Sequence, residues 1–400
     1  MINLFFVVHD HSGARTYANE LLSWLSLRKG ITIHKIIFES ADYKEYSVIK
    51  EENLITIHIP ALKIKGDTIE KYSRRCFDLM TPIIQGKNNI IFHLNKSAQV
   101  KIGLEARKRF SAKIIYTLHY LPSYFSSFAT GTSNPQKVTT IGDELEREMA
   151  AEADHIICVT QFAREMMKQH YLVPELKMTV IYNGYSSLGN CLHSSNLKEN
   201  HKKQFGFRTD EQIILFVGRL QRGKGVEKLV EAFKKLINEF ENLQLVLVGE
   251  GEFNELMNQC RGNFGRISFT GKLPSEQVKQ LYQIADLGVI PSEFEQCSYV
   301  GLEMMYFGLP VVCSDAPGLK ELFSDEESAL IVSLQERADG LPALEITEQG
   351  LYKAIRRILD DKTLARKLAH TAHFIWQEHF TCDCMGQLTL TIYEEIMANH

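Results

Sequence analysis

Two glutamates, Glu295 and Glu303, stand eight positions apart in PSEFEQCSYVGLEMMYFGLPVV (291–312), with Glu293 just ahead. Carboxylates in a stretch otherwise suited to a core need a reason. The apolar run LGVI ends at Pro291, so 292–297 read as a loop. Ser298 has the chemistry of a helix N-cap. A helix is expected over 299–307, stopped by Gly308 with Pro310 just beyond. Glu295 then lies in the loop and Glu303 one turn into the helix. Gly301 permits close approach to the helix's first turn, whose N–H groups suit phosphate oxygens.

A second constellation is FVGRLQRGKGVEKLVEAFKKL (216–236). It reads as a strand, a tight loop and an amphipathic helix with Val226, Leu229, Val230, Phe233, Leu236 and Ile237 on one stripe. Gly218, Gly223 and Gly225 let the loop turn sharply and approach a ligand. Arg219, Arg222 and Lys224 bring positive charge to it, which with backbone donors suits a diphosphate. The same spacing also fits an ordinary strand-to-helix turn with surface cations, and the two glutamates also fit solvent-facing acids. LVGEGE (247–252) is another strand with a Gly-rich turn. In FTGKLPSEQV (269–278), Ser275 is expected to cap the next helix.

The elements that must position these residues follow from the order of apolar runs. NLFFVV (3–8), TIHKIIF, LITIHI, NIIFHL, KIIYTL and HIICV read as strands, with helical patterns between several of them. A second series runs from QIILFV (212–217) through LQLVLV, RISF, ADLGVI, LPVVC and SALIV. Such alternation predicts parallel sheets covered on both faces. The stretch YSSLGNCLHSSNLKENHKK (185–203) has no apolar period and reads as a linker with a little flanking structure. The chain is therefore expected to be α/β, with two Rossmann-like doubly wound domains, 1–187 and 188–384, facing a central cleft. A C-terminal helix, about 385–400, is expected to pack back on the first domain. Ligands of such sheets bind beyond the carboxyl ends of the strands.

Composition agrees. Four hundred residues exceed one ordinary core, and 44% apolar with 24% charged residues is a globular balance. A net charge of -4 argues against nucleic acid as the main partner. Lys101, Arg107, Lys108, Arg109 and Lys113 form a local basic cluster, read as a solvated helix face or as contact with a membrane surface or anionic acceptor. No apolar run reaches the roughly 18 residues that span a bilayer, and MINLFFVVHDHSG reads as a buried strand, not a leader. The eight cysteines include no CxxC. Cys158 and Cys313 lie in apolar runs as core thiols, and Cys382 with Cys384 is too isolated for a four-ligand zinc site. Free thiols and a cytoplasmic location are expected, with peripheral contact at the inner face of a membrane left open.

VGRL…KG (217–225), LVGEGE, the two glutamates, GLPVV…S…PGLKEL (308–322), VTQF (159–162) and VIYNG (180–184) occur in an order that resembles the family 4, or group 1, retaining glycosyltransferases of the GT-B fold. The resemblance covers nearly the whole chain. It implies that Arg219 and Lys224 hold the diphosphate of a nucleotide-sugar donor, UDP- or GDP-linked. Glu295 falls near the donor sugar, Glu303 on the ribose hydroxyls, and the backbone of Cys297, Ser298, Tyr299 and Val300 on phosphate. No metal or other cofactor is implied. The acceptor class is a glycan, a lipid-linked glycan, or a protein or peptide hydroxyl. A nucleotide-sugar 2-epimerase of the same fold and a non-catalytic GT-B partner subunit are the alternatives.

The chain also departs from the family pattern. HDHSGARTYANEL (9–21) offers only Gly13 where a glycine pair is usual; its backbone is expected to support phosphate or acceptor. In YTLHYLPS (116–123), His119 ends a strand where the family often has a His near the donor sugar, but Tyr120 replaces the usual Asp. His93 is a weaker candidate. Cys297–Ser298 stands where Phe–Gly is common. Residues 121–145 read as a long connection on the acceptor side.

Overall fold

The computed structural model describes residues 1–8, 12–38, 45–60, 68–120, 141–186, 195–251, 253–336 and 344–398. The chain forms two compact units, Met1–Gly184 with Thr381–His400, and Tyr185–Phe380.

The first unit is built on an eight-stranded sheet: β1 (Ile2–Val8), β2 (Ile31–Phe38), β3 (Ser47–Glu51), β4 (Leu54–Ile59), β5 (Ile90–Leu94), β6 (Lys113–Leu118), β7 (His155–Cys158) and β8 (Met178–Val180), in the order β3-β4-β2-β1-β5-β6-β7-β8. Apolar runs such as IIFHL in β5 are buried throughout, as a sheet covered on both faces requires. The expectation of a wholly parallel sheet fails at one edge. β3 pairs antiparallel with β4, and its sequence SVIKE is mostly exposed, so it carries no buried run to betray it. The winding reverses between β1 and β5.

Around this sheet lie α1 (Ser12–Ser26), α2 (Ile69–Ile84), α3 (Val100–Phe110), α4 (Ile141–Glu152), α5 (Gln161–Tyr171) and α14 (Cys382–Ala398). Residues 121–140 lie outside the described residues, and 141–145, read as part of that connection, begin α4 instead. Helix α14 packs on α1: Trp24 Nε1 donates to Asp383 at 2.6 Å, and a side chain at Gly386 would overlap the Trp24 ring. Four cations of the basic cluster are matched by carboxylates: Lys101 with Glu148 and Glu70, Arg107 with Glu152 and Asp154, Arg109 with Asp78 and Glu105, and Lys113 with Asp154. Their charge is largely spent within the unit.

The second unit has a six-stranded, all-parallel sheet: β9 (Gln212–Val217), β10 (Leu243–Val248), β11 (Ile267–Gly271), β12 (Leu287–Ile290), β13 (Val311–Ser314) and β14 (Leu330–Val332). Their order, β11-β10-β9-β12-β13-β14, is the doubly wound 3-2-1-4-5-6 arrangement, with its switch point between β9 and β12. Its helices are α6 (Ser195–Gln204), α7 (Val226–Leu236), α8 (Phe253–Gln259), α9 (Ser275–Ile284), α10 (Tyr299–Tyr306), α11 (Pro317–Leu322), α12 (Glu348–Asp360) and α13 (Lys362–His379). A hairpin of β15 (Gln335–Glu336) and β16 (Leu344–Glu345) was not legible in the sequence.

Two further expectations are corrected. The linker's second half is helix α6, held by polar contacts: Lys198 Nζ bonds Asp286 at 2.9 Å, and the buried Lys202 donates to the Thr209 and Glu211 carbonyls. No apolar period was needed, so none was visible. Ser275 does not cap α9. Pro274, with φ -57 and extended ψ, takes the cap position without a side-chain bond, and Ser275 is the first helical residue.

No described helix is long and apolar enough to cross a membrane.

Candidate active site

The switch point of the second sheet is where β9 and β12 end side by side. Beyond β9 runs the loop 218–225, and beyond β12 the loop 291–298. Helix α7 fixes the first loop by burying Val226, Leu229, Val230, Phe233 and Leu236 against the sheet. Gly225, at φ +66, abuts the Pro291 carbonyl so closely that any Cβ would overlap it. Glu293 N–H donates to the Gly223 carbonyl at 2.9 Å. These contacts tie the two loops together.

The loop after β10 forms a floor. Gly249 and Gly251 (φ +143 and +156) pack on the carbonyls of Gly218 and Leu220, where a side chain would overlap backbone. Gly218 N–H bonds Val248 O at 2.9 Å and Leu220 N–H bonds Glu250 O at 2.8 Å. On the other flank, Gly318 at the start of α11 leaves room for the Gln296 carbonyl and donates its N–H to Glu295 O at 3.1 Å. The separate glycine motifs in 218–225, 249–251 and 317–318 thus build one backbone frame around residues 291–298.

Within this frame Lys224 Nζ is ion-paired with Glu295 Oε1 across 71 residues of sequence; their side chains are 19% and 18% exposed. Ser292 Oγ donates to the same carboxylate at 2.9 Å. Ser292 is itself anchored, its carbonyl accepting from Ser314 Oγ, which also accepts Ala316 N–H at 3.3 Å. Arg219 lies exposed at the start of the first loop.

Ser298 Oγ caps α10 by accepting Gly301 N–H at 3.3 Å. The other first-turn N–H groups, of Tyr299 and Val300, precede the first i→i−4 hydrogen bond of the helix. Cys297, Ser298 and Tyr299 are buried. One turn on, Glu303 Oε2 accepts the Tyr282 hydroxyl at 2.7 Å. Burial, with the Glu303 charge beside it, pushes the Tyr282 phenol well above its usual range, so it stays a protonated donor.

The first unit presents a different edge. His119, just past β6, has Nε2 2.9 Å from Asn95 Oδ1 and meets the Tyr17 ring edge-on at 4.5 Å. Asn95 is buried beyond β5 and its Nδ2 donates to Val7 O at 2.9 Å. That bond orients the amide, so its oxygen faces His119 and the proton sits on Nε2. Gln99 Oε1 accepts the Asn95 N–H at 2.8 Å.

His93 is different. It is fully buried, with Nδ1 2.5 Å from Tyr393 Oη of α14 and Nε2 2.6 Å from Thr117 Oγ1. Burial, then the charge of His119, push it down to about 3. It is a neutral strut, not a group that meets a ligand. Gly13 lies in the first turn of α1 with open space around its Cβ position; His9, Asp10 and His11 lie outside the described residues.

Sequence reading brought Arg219, Lys224, Glu295, Cys297–Val300 and Glu303 to one edge of one unit and left His119 and Gly13 in the other. It missed Ser292, Tyr282 and Asn95, and quoted Ser314 in the GLPVV…S…PGLKEL motif without giving it a role. A serine adjoining the strand-end proline and a tyrosine on the inner face of α9 were the only traces, and neither has a distinctive spacing. Among the described residues no cluster of three or more His, Cys, Asp or Glu side chains is arranged to hold a metal.

Comparison with known proteins agrees with this architecture. The family described as glycosyl transferases group 1 matches residues 198–373, and glycosyltransferase family 4 matches residues 11–187. An uncharacterized glycosyltransferase of Methanocaldococcus jannaschii is 29% identical over 250 residues, 62% of this chain and 61% of that protein. The chain thus matches about three fifths of that relative's length. An alpha-D-kanosaminyltransferase of Streptomyces kanamyceticus is 25% identical over 70% of this chain and 69% of its own. Among solved structures, sucrose-phosphate synthase from Thermosynechococcus elongatus superposes with a TM-score of 0.77 at 20% identity, covering 100% of both chains. Anabaena HepE, in complex with UDP-glucose, superposes at 0.74 with 18% identity, covering 100% of both. At these identities the structural likeness establishes the fold. With the two family matches spanning most of its length, the chain belongs to the group 1 glycosyltransferases of the GT-B fold.

Proposed function

We propose that this chain transfers a sugar from a UDP- or GDP-linked donor to a glycan, lipid-linked glycan or protein hydroxyl, with retention at the anomeric carbon and without a divalent metal. The observation that carries this reading is the meeting of Lys224 and Glu295 at the switch point of the second sheet, on loops fixed to each other by backbone. Negative charge grows on the departing diphosphate as the sugar bond breaks. Arg219, Lys224 and the first-turn amides of α10 are fixed donors for that charge, and preorganised donors lower the barrier because they need not reorient. Glu295 is the counterion of Lys224 here; with donor bound, the diphosphate takes over Lys224 and the carboxylate is available to sugar hydroxyls. Glu303 binds the ribose. His119, at the carboxyl edge of the first sheet, offers a hydrogen bond to a sugar hydroxyl. Retention rests on the resemblance to the family. The UDP-glucose complex of HepE, a protein of the same fold, supports a nucleotide-sugar donor.

The test incubates the purified chain with UDP- and GDP-sugars, with and without candidate acceptors, in a strong chelator. Nucleotide released only with acceptor, and a product of unchanged anomeric configuration by NMR, is the expected result. An isomerised sugar without acceptor makes the protein an epimerase, and an inert donor makes it a binding subunit. Loss of activity in chelator, restored by one divalent ion, overturns metal independence.

A further inference from the structure

Glu303 has a companion that the site as described does not use. Tyr282 lies in α9, is 2% exposed, and gives its hydroxyl to Glu303 Oε2 at 2.7 Å. Its ring is stacked on Phe307, one turn beyond Glu303, with centroids 5.4 Å apart and planes at 20°. The end of α9 is itself tethered. Asp286, just past it, accepts Ile213 N–H of β9 at 2.9 Å and is bonded to Lys198. The end of the helix that carries the ring is therefore tied to the sheet, and the hydroxyl to α10.

A glutamate side chain on a helix has several rotamers, and ordering one costs entropy. A ligand that needs both hydroxyls of a ribose bound by one carboxylate needs a single orientation of that carboxylate. We infer that Tyr282 is a positioning residue for nucleotide recognition: it holds Glu303 in the orientation that accepts a cis pair of ribose hydroxyls, and so sets the preference for a ribonucleotide donor. The inference rests on the reading of Glu303 as the ribose acid. The phenol occupies one lone-pair direction of Oε2, and a carboxylate has about four such directions, so the bond orients the group without saturating it. A buried tyrosine hydroxyl also needs a partner for its own sake, so the hydrogen bond alone does not separate positioning from packing. The ribose does.

The experiment measures Kd by calorimetry on the full chain, for whichever of UDP and GDP binds more tightly and for its 2′,3′-dideoxy counterpart. Wild type is expected to prefer the ribonucleotide. Glu303→Ala should abolish that preference. Tyr282→Phe keeps the ring on Phe307 and loses only the hydroxyl. It should weaken ribonucleotide binding about five- to tenfold, the scale of a lost hydrogen bond to a charged group seen at one remove. Dideoxynucleotide binding should not change. In the Glu303→Ala background, Tyr282→Phe should add nothing. Equal weakening of both nucleotides by Tyr282→Phe makes the tyrosine a packing residue and overturns the inference while leaving Glu303's role intact. A preference that survives Glu303→Ala removes the ribose acid, and the inference with it. Melting curves of each variant establish that it is folded; should Tyr282→Phe not fold, Tyr282→Met, which fills the space without a donor, replaces it with the same expectations.

Discussion

The carboxyl edges of the two sheets hold their polar groups by different means. In the second unit the groups sit on loops that touch backbone to backbone. Gly225 lies under the Pro291 carbonyl, Gly249 and Gly251 under those of Gly218 and Leu220, and Gly318 beside that of Gln296. In the first unit the group of interest, His119, is held by side chains: Asn95 and Tyr17 directly, and behind them Thr117, His93 and Tyr393 in a buried chain of hydrogen bonds. A backbone frame gives fixed places for strong charge. A side-chain network gives one imidazole a fixed tautomer.

The sharpest way to break this contrast is to remove the charge from the rigid frame. Lys224→Ala should lower single-turnover transfer about a hundred- to a thousandfold, the cost of about 2.7–4 kcal/mol when one preorganised stabiliser of developing charge is lost. A purely structural ion pair behaves otherwise: deleting one partner strands the other charge, and deleting both relieves it. Lys224→Ala/Glu295→Ala should therefore be as poor as the worse single variant in transfer, whatever its melting temperature. Recovery of turnover in the double variant would reduce the pair to a strut.

The frame itself is tested at a glycine. Gly225→Ala puts a methyl group into the Pro291 carbonyl at a positive φ, so one of the two loops must move. A displacement of about 1 Å at a reacting site costs roughly a hundredfold, and transfer should fall by about that much while the protein remains folded by circular dichroism. Gly13→Ala meets open space in the first turn of α1 and should change transfer by no more than about threefold, the scale of a glycine-to-alanine propensity difference in a helix. Equal effects at the two positions would erase the distinction between a glycine that is needed and one that is not.

The same distinction explains what was legible beforehand. Close backbone approach can be met only by glycine, so it leaves a mark in sequence, and the glycine motifs with their cations pointed to one strand edge. The capping serine at 298 was legible for a similar reason, since few residue types do that work. His93, Thr117 and Tyr393 each look like any core residue. Their bond spans 300 positions between β5 and α14, and no local pattern announces it. Helix α6 was read as linker because the contacts that mark it are polar, Lys198 on the Asp286 carboxylate and Lys202 on two carbonyls. Edge strand β3 escaped because its side chains are mostly exposed. Where local chemistry admits one residue type, sequence is informative; where a long-range partner decides, it is not.

Acid should separate the two units next. Burial pushes His34 of β2 down to about 4, helped by the charge of Lys87, and His93 down to about 3. Both are neutral in the folded first unit and ordinary histidines when unfolded. Above pH 6.5 neither state holds the proton, and stability is unaffected. As pH falls below 6.5 the unfolded chain takes up protons that the folded unit refuses, and stability declines until about pH 4 for His34 and pH 3 for His93. Each histidine contributes roughly 1.4 kcal/mol per pH unit in its window. Hydrogen exchange at pH 7 and pH 5 should show the first unit losing protection, about tenfold or more per pH unit, with the second unit changing less. Uniform loss across both units would assign the acid sensitivity elsewhere.

Among the variants meant to impair transfer, the smallest loss is expected at Asn95, and it bears on whether the side-chain network serves chemistry at all. Asn95 holds His119 through Oδ1 and is held by Val7 through Nδ2. Asn95→Ala releases the imidazole and should lower kcat roughly five- to tenfold, about the worth of one hydrogen bond of 1–1.5 kcal/mol, with little change in donor KM. A drop in kcat alone would also follow from general loosening, so the informative variant is Asn95→Asp. Aspartate still accepts from Nε2, but its charge favours the imidazolium and raises the proton affinity of His119. If transfer uses neutral His119, the acidic limb of the kcat profile should move to higher pH, while activity at pH 8 stays close to wild type. A histidine that only fills space has no reason to move that limb. An unshifted profile in a folded Asn95→Asp protein, together with normal kcat in Asn95→Ala, would take His119 out of the reaction.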